Sequence, residues 1–228
     1  MRILSTATMV VLIAFAVAGE ASGAEPDRAE YAVRWEAADG GPKTAQEVMA
    51  TLKKASTSAE TYVVQYFDFT PPEVPAGSKP ILRRRTKESG KPKLTFKYRS
   101  DQPLAAWTCP LPYPVEKQEE VDVSFGAAKA VKRAFSYSCD KKDAADPPAE
   151  LRATPEACAS TMTRLESDNL KVEEWRMPGN ALMIEVSQKG PNSKKALKAF
   201  RQHVVAPLLK AGIKPSDRSK TEIGSRCP

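Results

Sequence analysis

Residues 81–99 read ILRRRTKESGKPKLTFKYR, and the alternation within this stretch decides the fold. From Pro92 to Arg99, Leu94, Phe96 and Tyr98 fall on one side of an extended chain, and Lys93, Thr95, Lys97 and Arg99 on the other. Successive side chains of a strand point to opposite faces, so this segment has one apolar and one cationic face. Ile81 to Thr86 repeats the pattern with Arg83 and Arg85 on a common face, and Glu88-Ser89-Gly90-Lys91 supplies the turn. The two runs are predicted to form a hairpin.

Working outward, the same signature recurs. Glu30–Glu36 alternates Tyr31, Val33 and Trp35 with Glu30, Ala32, Arg34 and Glu36. Thr44 followed by Glu47 is a capping box that opens a helix with Val48, Leu52 and Ala55 on its apolar side. Thr61–Phe69 is rich in β-branched and aromatic residues and reads as a strand. In Glu116–Phe125, Val121, Val123 and Phe125 oppose Glu120, Asp122 and Ser124; Ala130–Cys139 is a further strand. Pro155–Asp168 is predicted as a helix with Cys158, Met162 and Leu165 in one stripe. Leu170–Met177 and Leu182–Lys189 form a hairpin about Pro178-Gly179-Asn180, with Glu185 on a charged face. Ser193–Ala211 is amphipathic, with Leu197, Phe200, Val204 and Leu208 inward, Pro207 as a kink and Gly212 as its stop.

The chain has 228 residues, 35 Lys+Arg against 28 Asp+Glu and one His, a net charge of +7. With 41% hydrophobic residues it is globular in composition. Met9–Ala18 is an apolar run after a positive start, and small residues precede a cut after Ala24, so residues 1–24 read as a secretory signal peptide. The run is short for a bilayer span of roughly 20 residues. Its removal leaves residues 25–228 as one domain, secreted or periplasmic and without a transmembrane segment. In an oxidising compartment Cys109, Cys139, Cys158 and Cys227 form two disulfides, in any of three connectivities. No CxxC pair, P-loop or GxGxxG motif is present, and the lone His203 lies on the wet side of a helix, which excludes a Ser-His-Asp centre. Nucleic acid is not an expected partner, because Phe96 and Tyr98 lie on the apolar face and form no stacking platform.

The fold class is therefore α+β, mostly antiparallel strands with flanking helices. Strands with one apolar and one charged face suit an open sheet or a barrel with a polar lumen. An open sheet would point to an envelope binding or structural protein that uses its positive charge on acidic surfaces.

The order of elements resembles the CYTH family, the triphosphate tunnel enzymes, from about Tyr31 to Glu222. The residues that carry the resemblance are Gln65–Pro71 (QYFDFTP), Leu82–Arg85 (LRRR), Leu94–Lys97 (LTFK), Glu119–Val123 (EEVDV), Glu185 within MIEVSQK, and Ser219–Glu222 (SKTE). The resemblance implies a tunnel of about eight antiparallel strands whose basic residues hold a triphosphate and whose acidic residues hold Mg²⁺ or Mn²⁺. Arg83, Arg85, Lys93, Lys97 and Lys220 are the expected anion contacts. Glu120, Asp122 and Glu185, with Glu222 as a further candidate, are the expected metal ligands. The family signature ExExK is absent from its expected place, where Ala32, Arg34 and Glu36 stand. The expected function is binding of a phosphate-rich anion or polyphosphate by a monomer or homodimer with a degenerate catalytic centre. An active metal-dependent tri- or polyphosphate phosphohydrolase is the alternative.

Overall fold

The computed structural model describes residues 23–70, 78–127, 130–220 and 222. The predicted signal peptide up to Ser22, together with Pro71 and Cys227, lies outside them.

Nine strands close into a barrel: β1 (Arg28–Glu36), β2 (Ser58–Asp68), β3 (Lys79–Lys87), β4 (Pro92–Ser100), β5 (Glu116–Phe125), β6 (Val131–Lys142), β7 (Thr154–Ser167), β8 (Leu170–Arg176) and β9 (Leu182–Pro191). Their order around the barrel is β1-β5-β6-β4-β3-β2-β7-β8-β9. The β1–β5 contact is parallel and the other pairings are antiparallel. Closure removes the sheet edges that an open sheet would expose.

The ninth strand corrects the helix expected over Pro155–Asp168. That segment is β7, paired with β2 on one side and β8 on the other. Met162 and Leu165 do not share a stripe: they are three residues apart and belong to apolar groups on opposite faces. The β-branched Thr161 and Thr163 suit a pleated chain, and two long ladders outweigh local helical spacing. Pro155 lies beside a register shift in the β2–β7 ladder, between Gln65 and Phe67.

Three apolar groups organise the barrel. On its outer face Tyr31, Val33, Trp35, Val123, Val172 and Ile184 pack under helix α1 (Ala45–Thr51) and the C-terminal helix. Elsewhere outside, Leu94, Phe96, Tyr98 and Tyr137 lie beneath the segment holding Trp107, Cys109 and Leu111. Phe96 and Tyr98 are thus buried and form no exposed platform. Inside the barrel, Tyr62, Val64, Tyr66, Met162, Trp175 and Met183 fill part of the lumen. The rest of the lumen is lined with charge.

The Thr44 hydroxyl accepts the Glu47 N–H at 3.1 Å, as the capping box requires, while Glu47 Oε2 accepts from the Lys43 N–H at 2.7 Å. The C-terminal helix begins at a Ser193 cap, with Ser193 Oγ accepting from the Ala196 N–H at 3.2 Å. It runs as α2 (Lys194–Phe200), a π-helical turn over Arg201–Val205, and α3 (Ala206–Lys210). Pro207 has no N–H and crowds the carbonyl four residues back, and the wide turn lies immediately before it. Gly212 ends the helix at φ 92°. His203 is exposed.

Cys109 and Cys139 form a disulfide with 6.1 Å between Cα atoms. Cys158 is also disulfide-bonded. Among the described residues no helix is long and apolar enough to cross a membrane.

Candidate functional site: a charged tunnel

The charged faces of the strands converge on one cavity of about 270 Å³, near the lower end of the roughly 300–1,000 Å³ common for small-molecule sites. Arg83 and Arg85 from β3, Lys93 and Lys97 from β4, Glu120 and Asp122 from β5, Glu185 from β9, and Lys220 from the C-terminal segment all line it. Glu222 does not; it caps Ser219, whose N–H it accepts at 2.6 Å. Ten cationic and six carboxylate side chains line the cavity, leaving four positive charges in excess.

Most of these charges are paired. Lys97 Nζ and Arg99 Nε lie 3.1 and 2.9 Å from Asp122 Oδ2. Lys93 reaches Asp140 at 2.6 Å, and Lys189 reaches Glu120 at 2.6 Å. Arg164 pairs with Glu173 at 2.6 Å, Arg34 with Glu185 at 2.9 Å, and Lys220 with both carboxylates at 2.6 Å.

Arg83 and Arg85 differ. Neither has a carboxylate ion pair among the described residues, and the Nε atom of each is buried without a hydrogen-bond partner there. Tyr66 is the register partner of Arg83, and Val64 is the partner of both Arg85 and Ser160. The Tyr66 and Ser160 hydroxyls are likewise buried without partners among the described residues. Three neighbouring strands thus carry unsatisfied polar groups on the lumen side, where leaving a buried donor unmade costs about 1–3 kcal/mol. Burial, followed by repulsion from Arg83 and Arg164, lowers the Arg85 pKa to about 10.

The remaining shifts follow from burial opposed by partners. Burial alone would raise Asp122, but Lys97 and Arg99 hold its carboxyl well below the ordinary range. Glu173 is lowered in the same way by Lys220 and Arg164, and Glu185 by Lys220 and Arg34, both against the effect of burial. Glu120 moves up, because burial and the neighbouring Glu30 outweigh Lys189. Burial lowers Lys97 despite Asp122, and burial with Arg85 lowers Lys93.

No family model and no curated protein sequence matches this chain. Among solved structures it is similar to the PH1012 protein of Pyrococcus horikoshii, with 12% identity, coverage of 85% of this chain and 98% of that one, and a TM-score of 0.47. The PH1819 protein of the same organism gives 12%, 84%, 97% and 0.46. A Bacillus halodurans protein provisionally named an adenylate cyclase gives 11%, 86%, 98% and 0.45.

Glu30, Glu120 and Asp122 each bring a carboxylate oxygen within 4.8 Å of the others. Oxygen donors in this number suit a hard divalent cation. A cation there would offset the repulsion between carboxylates held this close. Glu185 stands outside this group and is committed to Arg34 and Lys220.

Several lining residues are not singled out by the sequence alone. Glu30 and Arg34 share the parity of Ala32, and Lys189 that of Glu185. A strand that ends at Cys139 leaves Asp140 in a loop, whereas β6 continues to Lys142 and turns Asp140 inward. A helix over Pro155–Asp168 hides the approach of Arg164 to Glu173, which the β7–β8 ladder sets directly opposite it.

A second cavity, about 680 Å³, adjoins the tunnel as a vestibule and shares Arg85, Lys93 and Arg164 with it. Six cationic side chains and one acid, Asp143, line this vestibule. In the segment leading to Lys220, the Ser216 N–H donates to the Arg34 carbonyl at 2.8 Å and Arg218 pairs with Glu36 at 3.2 Å.

Proposed function

We propose that this protein is an exported CYTH-like domain, residues 25–228, whose tunnel binds a linear phosphate-rich anion through Arg83 and Arg85, with a degenerate catalytic centre. The observation that carries the reading is the pair of arginines without carboxylate partners in a lumen where the other charges are mostly matched. Guanidinium groups suit phosphate oxygens because their planar donors bond two oxygens at once. Lys93, Lys97 and Lys220 add charge around the same cavity. The basic vestibule gives a chain longer than the tunnel a way out, which favours inorganic tri- or polyphosphate among anions. The Cys109–Cys139 disulfide supports an oxidising compartment.

The tunnel-lining residues of β1 also suggest a different placement of the family signature. The positions facing the lumen are Glu30, Ala32 and Arg34, two residues earlier than the sequence reading places ExExK. In this register the first Glu is kept, the second is Ala32, and Arg34 replaces the lysine. A shift of two preserves strand parity, so Tyr31, Val33 and Trp35 stay on the outer apolar face. Glu30, Glu120 and Asp122 are the residues that would hold Mg²⁺ or Mn²⁺, and such an ion supplies charge neutralisation at phosphate oxygens when bound.

The test is calorimetric titration with tripolyphosphate, with and without Mg²⁺ or Mn²⁺, alongside a phosphate-release assay. Saturable binding that needs no metal, lost on Arg83→Ala with Arg85→Ala and unaccompanied by turnover, is expected. Metal-dependent phosphate release would establish the phosphohydrolase alternative. No binding of tripolyphosphate or longer polyphosphate under either condition would end the proposal.

A further inference from the structure

Glu173 on β8 and Glu185 on β9 are direct register partners, so their side chains leave adjacent strands on the same face. Both are nearly fully buried, at 5% and 3% exposure. Two ionised carboxylates in this position repel one another unless a cation lies between them or one of them keeps its proton. The cation is already supplied by the chain. Lys220 Nζ donates to Glu173 Oε2 and to Glu185 Oε1, at 2.6 Å in each case. The ammonium also lies 4.9 Å from the centre of the Trp175 ring.

The other oxygens of the pair are taken as well. Arg164 donates twice to Glu173 Oε1, at 3.0 and 2.6 Å, and Arg34 Nε donates to Glu185 Oε2 at 2.9 Å. Trp175 Nε1 adds a bond to Glu173 Oε2 at 3.0 Å. Each carboxylate oxygen therefore has a donor from the protein. The Glu30–Glu120–Asp122 group is different: Lys189 pairs with Glu120, and Lys97 and Arg99 with Asp122, but among the described residues no cation bridges two of the three carboxylates.

We propose that Lys220 is a built-in cation occupying the position a divalent metal would take between Glu173 and Glu185, so that the tunnel has one carboxylate group able to take a metal rather than two. The functional meaning of this inference rests on the tunnel being the phosphate site; the cation exchange itself is a property of the carboxylate pair. A compact ammonium with three donors can bridge two carboxylates, and its fixed single charge cannot dissociate as a metal ion does. Arg34 and Arg164 add the remaining positive charge. The segment carrying Lys220 is held by the Ser216–Arg34 backbone bond, the Arg218–Glu36 ion pair and the reciprocal Ser219–Glu222 bonds.

The test counts Mn²⁺ ions bound per full-length chain by calorimetry, in the absence of phosphate. The unmodified protein is expected to take at most one, and Glu185→Gln to leave that number unchanged. Lys220→Met is expected to gain one Mn²⁺, which Lys220→Met with Glu185→Gln loses again. The melting temperature of Lys220→Met should fall in chelator and recover with Mn²⁺, a recovery that loss of a merely structural lysine would not give. Two Mn²⁺ on the unmodified protein with one lost in Glu185→Gln, or a folded Lys220→Met that gains none, would overturn the inference. If Lys220→Met does not fold, the Glu185→Gln count on its own decides it. Because the ion count involves no phosphate, failure here is distinguishable from failure of tripolyphosphate binding.

Discussion

Arg34 and Glu185 stand directly opposite one another across β1 and β9, and Arg34 Nε donates to Glu185 Oε2 at 2.9 Å. Both side chains are largely shielded, at 14% and 4% exposure. Removing one partner of a buried pair leaves an uncompensated charge. Arg34→Ala is therefore expected to cost about 3 kcal/mol, read from urea unfolding, and Arg34→Lys substantially less. A loss below about 0.5 kcal/mol would place the pair with exposed salt bridges and contradict this view of the lumen.

Arg85 makes the opposite contribution. Its pKa is lowered to about 10, first by burial and then by Arg83 and Arg164, so below that pH the folded protein carries a charge it disfavours. Arg85→Met is expected to raise stability by about 1–2 kcal/mol after allowance for solvent screening. The same change should weaken tripolyphosphate binding at least tenfold, because it removes a charge-assisted contact worth about 1.5–3 kcal/mol. Gain of stability with loss of affinity is the pattern of a residue kept for binding. A variant that is less stable and binds tripolyphosphate normally would show that Arg85 has a packing role instead.

The hairpin over residues 81–99 is legible because its period of two separates Leu94, Phe96 and Tyr98 from the polar Thr95, Lys97 and Arg99. That same parity placed Arg83, Arg85, Lys93, Lys97, Glu120, Asp122 and Glu185 on lumen faces. Pro155–Asp168 reads as helical because Cys158, Met162 and Leu165 fit a helical stripe, while its ladders with β2 and β8 involve residues remote in sequence. The parallel β1–β5 contact is equally non-local. Pairing of charges within the lumen was not legible at all. Lys220 lies 47 residues from Glu173 and 35 from Glu185, and no local pattern indicates that it bridges them.

The Cys109–Cys139 disulfide closes a separation of 30 residues and ties the segment containing Trp107 and Leu111 to the strand bearing Tyr137. Chain-entropy arguments give a bridge of this span about 3.5 kcal/mol. Cys109→Ala with Cys139→Ala should lower the melting temperature by roughly 10 °C, while Arg83 and Arg85, on the other face of the sheet, keep their tripolyphosphate affinity. A melting temperature within about 2 °C of the unmodified protein would mean that the apolar packing beneath this segment holds it without the bridge.

Glu156 gives the barrel a pH dependence of its own. It lies on β7 beside the register shift, where Gln65 Nε2 donates to the Glu156 and Cys158 carbonyls at 2.5 and 3.2 Å. Its Oε2 is buried with no partner among the described residues, and burial, aided by Asp68, raises the carboxyl to about 7. A raised folded-state pKa means that the folded protein holds this proton more tightly than the unfolded chain. Its contribution is full below the unfolded value of about 4.3 and is lost as pH rises through about 7. Glu156→Gln keeps a neutral, similarly shaped group at all pH values. The variant and the unmodified protein should melt together near pH 4 and separate as pH rises, with the variant about 3 °C higher at pH 8, corresponding to a screened effect of about 1 kcal/mol. Parallel melting curves across this range would show that the Glu156 carboxyl is solvated and titrates as it does in the unfolded chain.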